Sequence, residues 1–263
     1  MIIILSPAKT LEINESLNKL PMTEPQYLEE AEVLINELKT YDEYSLSSLM
    51  KTSTKLTKLN MERFKLWRKS LDNAFICLGA FKGEAYRGLD AGSYSMEELF
   101  YANDHLRILS GLYGILRPFD GINFYRLEMG TKLKFNTYKN LYEYWGDKLA
   151  ENIYSELIKS DDKILINLAS NEYYKSVEGI KKYDDIKVIT PEFKENRLGE
   201  YKVITTKAKR ARGLMASFII RNKITNIDGI KSFNYEGYEY DEELSCEHKL
   251  VFTRENGWEE RNI

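Results

Sequence analysis

The sequence predicts an α/β fold, a mixed sheet with surrounding helices. Three observations predict it: short apolar runs that read as buried strands, amphipathic patterns of helical period between them, and a late strand whose uneven spacing breaks a regular alternation. The first strand is Ile2–Leu5, an apolar run ended by Ser6-Pro7, where the chain enters a loop through Ala8, Lys9 and Thr10. Thr23 and Gln26 have the spacing of a capping box, and Leu28, Ala31, Leu34, Ile35 and Leu38 then recur at helical intervals. Residues 49–71 repeat that pattern in a lysine-rich setting, with Leu56, Leu59, Phe64 and Trp67 as the apolar positions.

Residues 74–81 are compact and apolar and predict a central strand. Ser95 and Glu98 form a second capping box ahead of a helix. A strand follows at 106–109, broken by Gly111 and Gly114 before Arg117-Pro118. The clearest helix spans 140–160, with Leu141, Tyr144, Trp145, Leu149, Ile153 and Leu157 on one face. Further strands are expected at 163–168, 188–193 and 201–206, the last running into a basic helix over 207–222. Residues 250–253 supply the strand that makes a mixed sheet the expectation.

No repeat, low-complexity run or Pro/Gly-rich linker divides the 263 residues, so a single domain over 1–263 is expected. A chain of this length buries roughly three quarters of its unfolded surface. It therefore needs no staple. The opening apolar run is too short and lacks the basic start of a signal peptide, and no stretch approaches the roughly 20 apolar residues that span a bilayer. A cytoplasmic protein with no membrane partner is the expectation. Cys77 and Cys246 stand far apart and outside any metal-ligand spacing, which suits a reducing compartment. With only His105 and His248 in the chain, a multi-histidine metal site or a haem pocket is not expected, nor any other cofactor. Cys77 lies in an apolar run that disfavours its thiolate, and Cys246 has no resolving partner nearby, so thiol peroxidase chemistry is not expected.

The net charge of −3 hides a segregation along the chain. Residues 24–43 carry seven acidic side chains against Lys39 alone, and residues 51–69 carry seven basic ones against Glu62. Residues 201–227 carry seven basic side chains and no acid.

Ser6, Lys9 and Thr10 follow the first strand, and strand ends are where α/β proteins bind ligands. Two hydroxyls and a lysine there suit a phosphate or carboxylate, although the glycines of a P-loop are missing and the residues alone favour an ordinary polar loop. Lys82 and Tyr86 follow the run at 74–81, and Ser170 and Lys175 follow the strand at 163–168, so three strand ends converge. These polar side chains could instead cap the helices behind them. Arg126 and Glu128, two positions apart, share a face if extended; they either orient an anion and a base or form a structural salt bridge. Lys207, Lys209, Arg210 and Arg212 crowd the start of a helix, where the macrodipole is already positive. That placement suggests an anionic partner, with a solvated basic face as the alternative.

Seven motifs in order, Ser6-Pro-Ala-Lys-Thr10, Phe81-Lys-Gly-Glu84, the stretch from Leu106 through Gly111-Leu-Tyr-Gly114 to Pro118, Tyr125-Arg-Leu-Glu-Met-Gly130, Tyr144-Trp-Gly-Asp147, Asn167-Leu-Ala-Ser170 and Lys209-Arg-Ala-Arg-Gly-Leu-Met215, resemble those of the YaaA family of bacterial peroxide-stress proteins. The resemblance implies a role in limiting oxidative damage under hydrogen peroxide by keeping unincorporated iron low. It also implies DNA binding and a YaaA-type fold with a helix-hairpin-helix element and a positive cleft, the hairpin falling near Gly111–Gly114.

Two functional expectations follow. One is a stress protein that holds duplex or distorted DNA through the phosphates, using Lys207, Lys209, Arg210 and Arg212 with the 51–69 segment as a second edge. The other is an enzyme acting on a small phosphorylated or nucleotide-like ligand in a pocket formed by Ser6, Lys9, Thr10, Lys82, Tyr86, Arg126, Glu128, Ser170 and Lys175. Direct iron storage would need clustered carboxylates and histidines, so any effect on iron is expected to be indirect.

Overall fold

The computed structural model describes residues 1–258. Its order is β1 (Ile2–Leu5), β2 (Thr10–Leu11), α1 (Leu28–Leu38), α2 (Glu43–Met50), α3 (Thr54–Leu66), β3 (Phe75–Ile76), α4 (Cys77–Ala80), β4 (Phe81–Lys82), α5 (Glu84–Leu89), α6 (Met96–His105), β5 (Leu106–Ser110), β6 (Gly114–Leu116) and β7 (Gly121–Ile122). The second half adds α7 (Leu141–Trp145), α8 (Lys148–Leu157), β8 (Ile164–Leu168), α9 (Asn171–Tyr174), β9 (Lys187–Arg197), β10 (Glu200–Lys202), α10 (Thr205–Asn222), α11 (Ile227–Lys231), β11 (Glu239–Cys246) and β12 (Lys249–Arg254).

The main sheet runs β11-β12-β9-β8-β1-β5-β6, with β10 folded back on β9. β5, β1, β8, β9 and β12 are parallel, and antiparallel β6 and β11 close the two ends. The α/β fold with a mixed sheet is therefore as expected. All of Ile2–Leu5 is buried, as a central strand covered on both faces must be. Helices α8 and α10 both pack against it. α10 also rests on α5 and α6, and Gly88 and Gly213 let two of those backbones touch.

Five local expectations change. The strand expected over 201–206 ends at Lys202, and α10 takes up the chain from Thr205 instead of 207. Residues 74–81 do not form a central strand: two-residue strands flank the buried turn α4, because an unbroken apolar run carries no period to tell strand from buried helix. Thr23 caps nothing; its hydroxyl donates to Asp120 (2.6 Å), and α1 starts only at Leu28. The 49–71 and 140–160 helices each divide, at left-handed Lys51 and at Gly146 (φ +50°). Gly111–Gly114 does turn a hairpin, but strands β5 and β6 flank it, so this segment is a β-hairpin rather than part of a helix-hairpin-helix element. Trp145, fully buried, donates to the Gly111 carbonyl (3.1 Å) and holds that turn in place.

Part of the charge segregation is internal pairing. Lys69 of the basic stretch reaches Glu29 and Glu32 of α1, and Lys58 reaches Glu43 of α2. Among the described residues, no helix is long and apolar enough to cross a membrane.

Candidate functional site at the strand ends

From β1 the chain proceeds to β5 on one side, and it later reaches β8 on the other. The carboxyl end of β1 is thus a switch point, where helices diverge and leave a crevice for ligands. Each of the three strands ends at a serine. Ser6 follows β1, Ser110 closes β5, and Ser170 lies just past β8. The Ser170 amide donates to Ser6 Oγ at 2.9 Å, and the two hydroxyls are 3.3 Å apart. Buried Tyr86 on α5 donates its hydroxyl to the Ser6 carbonyl (3.1 Å), and burial pushes that phenol far above its ordinary pKa. It is thereby a fixed donor and not an acid near neutrality.

Residues 124–130 lie across these ends as an irregular strap. Tyr125 anchors it through a hydroxyl contact with Ser110 (2.7 Å), and the Gly130 amide donates to Glu172 at its far end (2.8 Å). Gly111 admits it: a Cβ there would stand 2.4 Å from the Leu127 carbonyl oxygen. The strap delivers Arg126 and Glu128. Arg126 Nη2 donates to Glu128 Oε1 at 2.9 Å, and Lys9 Nζ approaches Glu128 Oε2 at 2.7 Å. Burial works against the Glu128 charge, but the hydrogen bonds and charges of Lys9 and Arg126 outweigh it and hold the carboxyl below its usual range. Glu128 is therefore ionised at neutral pH and can only accept.

Thr10 and Lys82 stand opposite each other in the β2–β4 pair, so they share a face and line a separate cavity of about 580 Å³ together with Tyr86. Both of its cations are paired, Lys82 facing Glu12 at 3.8 Å and Arg87 meeting Glu84 at 2.7 Å, and Asp90 adds a third carboxylate, so this lining is net acidic. Lys175 is exposed and sits 4.9 Å above the Tyr142 ring. The structure thus gathers Ser6, Lys9, Arg126, Glu128 and Ser170 at the strand ends, and Thr10 and Lys82 at the cavity, with Tyr86 touching both.

On α10, Arg210 is held by Glu236 through two contacts of 2.7 and 2.5 Å. Arg212 is half-buried; desolvation lowers its pKa, with the charge of Glu192 acting the other way. Lys207 is half-buried and Lys209 is exposed. Among the described residues, no group of three or more His, Cys, Asp and Glu is placed to hold a metal ion.

Sequence reasoning missed Arg63. It lies on α3, its guanidinium 5.2 Å from the centre of the Phe124 ring, beside the strap. Nothing in the lysine-rich pattern around it marks this one cation as facing inward.

Fold and site together define an α/β protein with a cation-rich cluster at the carboxyl ends of its parallel strands. The family model described as "Peroxide stress protein YaaA" matches residues 1–244. The chain is similar to a UPF0246 protein of Clostridium botulinum (strain Alaska E43 / Type E3), 60% identical over 97% of this chain and 100% of that one. A UPF0246 protein of Clostridium perfringens (strain 13 / Type A) is 46% identical over 97% of this chain and 100% of its own. One from Aliivibrio fischeri (strain MJ11) is also 46% identical, over 97% of this chain and 98% of its own. The chain belongs to the YaaA family of peroxide stress proteins.

Proposed function

We propose that this chain serves peroxide defence in the cytoplasm by binding a small phosphorylated or nucleotide-like ligand at the ends of β1, β5 and β8. The supporting observation is the Lys9–Glu128–Arg126 chain, which brings two cations from separate segments onto one carboxylate at the switch point. Lys9 and Arg126 would take the anion, Ser6 and Ser170 its neighbouring oxygens, and Glu128 a proton from a bound hydroxyl or water. Lowering of unincorporated iron is then an indirect effect. Calorimetric titration with adenosine monophosphate and with inorganic phosphate tests this. Binding lost in both Lys9→Gln and Arg126→Gln is expected; a wild-type protein that binds neither ligand at millimolar concentration sinks the proposal.

DNA binding is a second reading, favoured by α10. Lys209 projects into solvent from a stretch with seven basic side chains and no acid, and the same stretch carries an exposed tyrosine, Tyr201. Duplex and bubble DNA should then bind with a steep salt dependence that flattens in Lys209→Glu. An unchanged salt slope in that variant removes α10 as the contact surface. Lys209 is a better probe than Arg212, whose reversal would bury an acid.

A further inference from the structure

We infer that Arg63 completes a subsite with Arg126 and Lys9 that takes a dianionic phosphate monoester in preference to a carboxylate or a phosphodiester. This rests on the ligand-binding reading above and names the charge state of its ligand.

Three cations border one strap: Lys9 and Arg126 both hold Glu128, and Arg63 lies over the Phe124 ring and feels the charge of Arg126. The next carboxylate along, Glu172, is engaged by the Gly130 amide. Arg126 has only 17% of its side chain exposed, and its Nε is buried with no hydrogen-bond partner among the described residues, so one arm of its fork is left over after Glu128 has taken the other. Arg63 donates to Asn60 Oδ1 at a long 3.5 Å, and no carboxylate pairs with it among the described residues. Its basicity is lowered by burial and then by the charge of Arg126, as two like charges in a poorly hydrated setting require.

Like charges half-removed from water are costly unless something neutralises them. Around Glu128 the excess is two, three cations against one carboxylate, with the desolvation falling on Arg63 and Arg126 while the Lys9 side chain is 62% exposed. A phosphate monoester carries roughly −1.5 to −2 at neutral pH and offers three acceptor oxygens, which matches both the charge and the unused donors. A carboxylate or a phosphodiester brings one charge and leaves a cation uncompensated. Guanidinium forks are also the side chains best shaped to bind such a group in two-point fashion. The Phe124 ring under Arg63 holds that guanidinium in place without consuming its donors.

The test is calorimetric titration of the whole chain with methyl phosphate, dimethyl phosphate and acetate, repeated in Arg63→Gln and Arg63→Lys, with thermal melts to verify folding. Methyl phosphate should bind the wild type at least about tenfold more tightly than either monoanion, as expected for one additional charge-assisted contact. Arg63→Gln should remove that preference while still binding all three weakly, and Arg63→Lys should keep part of it. If methyl phosphate binds and Arg63→Gln leaves its affinity unchanged, the assignment of Arg63 is overturned while the ligand site at the strand ends stands. Equal affinity for mono- and dianions in the wild type overturns the charge-state assignment. Absence of binding by every anion overturns this inference and the ligand-binding reading together.

Discussion

Gly213 of α10 lies so close to Ala85 of α5 that a Cβ added to the glycine would fall 1.7 Å from the Ala85 carbonyl oxygen. Gly88 makes the reciprocal approach, its absent Cβ standing 2.2 Å from the Arg210 carbonyl oxygen. Two backbones therefore touch with no side chain between them, and backbone atoms cannot step aside as a flexible side chain would. Gly213→Ala should cost at least about 1–3 kcal/mol by overpacking, read as a lower urea midpoint. Gly92→Ala, whose nearest neighbour would be the Asn14 side chain at 3.7 Å, should change stability by no more than about 0.5 kcal/mol.

Because α5 carries Tyr86, that helix contact also fixes a donor on Ser6. Tyr86→Phe keeps the buried ring and removes the hydroxyl, leaving the Ser6 carbonyl without this partner. A loss of about 1 kcal/mol is expected, together with weaker phosphate binding at the strand ends. Unchanged affinity would mean that the Ser6 loop keeps its shape without Tyr86.

Glu128 makes stability depend on acid. Its carboxyl is held below the usual range, so its ionised form favours the fold, and the stabilisation is fully present above the ordinary carboxylate pKa of 4.5. It fades as pH falls through the lowered value. Glu128→Gln should therefore lower the urea midpoint by a constant amount from neutrality down to roughly pH 5, with the gap to wild type closing below about pH 4. A gap that stayed constant into strong acid would assign the effect to the amide's shape instead of the charge.

Arg254 and Glu195 form a buried ion pair, their side chains 2% and 5% exposed, with contacts of 2.8 and 2.5 Å joining β12 to β9. Arg254→Met leaves the buried Glu195 carboxylate with Arg197 as its remaining cation (3.1 Å), so a loss of about 3 kcal/mol, the low end for a broken buried pair, is expected. Adding Glu195→Gln should recover part of it. Thermal unfolding of the single and double variants checks both statements.

The two thiols should differ sharply. Cys77 is buried, donates to the Arg117 carbonyl (3.0 Å), and has its pKa pushed well up by burial, whereas Cys246 is exposed. One thiol per chain should react with a disulfide reagent in the native protein, and the second only on unfolding. Two fast equivalents would show that the α4 region opens readily.

The main sheet was legible where a run is both apolar and short: Ile2–Leu5 and the strands beginning at 164 and 249 lie where pattern placed them. At 74–81 the pattern failed because every residue from Phe75 to Phe81 is buried, and uniform burial erases the period that separates helix from strand. Strand ends pointed to Ser6 and Ser170 because β1 and β8 are themselves readable. Arg63 was not readable, since its approach to Phe124 depends on how α3 packs and leaves no local trace. Arg212 could have been read more closely. It stands four residues after Ala208 and next to Ala211, on the stripe that continues to Met215 and Ile219, so helical period alone turns it toward the core.

The place of β1 in the sheet has a consequence for how the chain is made. This strand is synthesised well before its partners β5 and β8, which begin about a hundred and a hundred and sixty residues later. At a translation rate of roughly 5–20 residues per second, Ile2–Leu5 waits about 8–30 s for β8. Four aliphatic side chains stay unpaired throughout, a natural target for a chaperone. The Ser6–Ser170 contact forms only when β8 arrives, so a truncated or half-made chain cannot display the completed site. Pairing over such separations makes for slow folding, and the site's appearance becomes a direct report on the last stage of assembly.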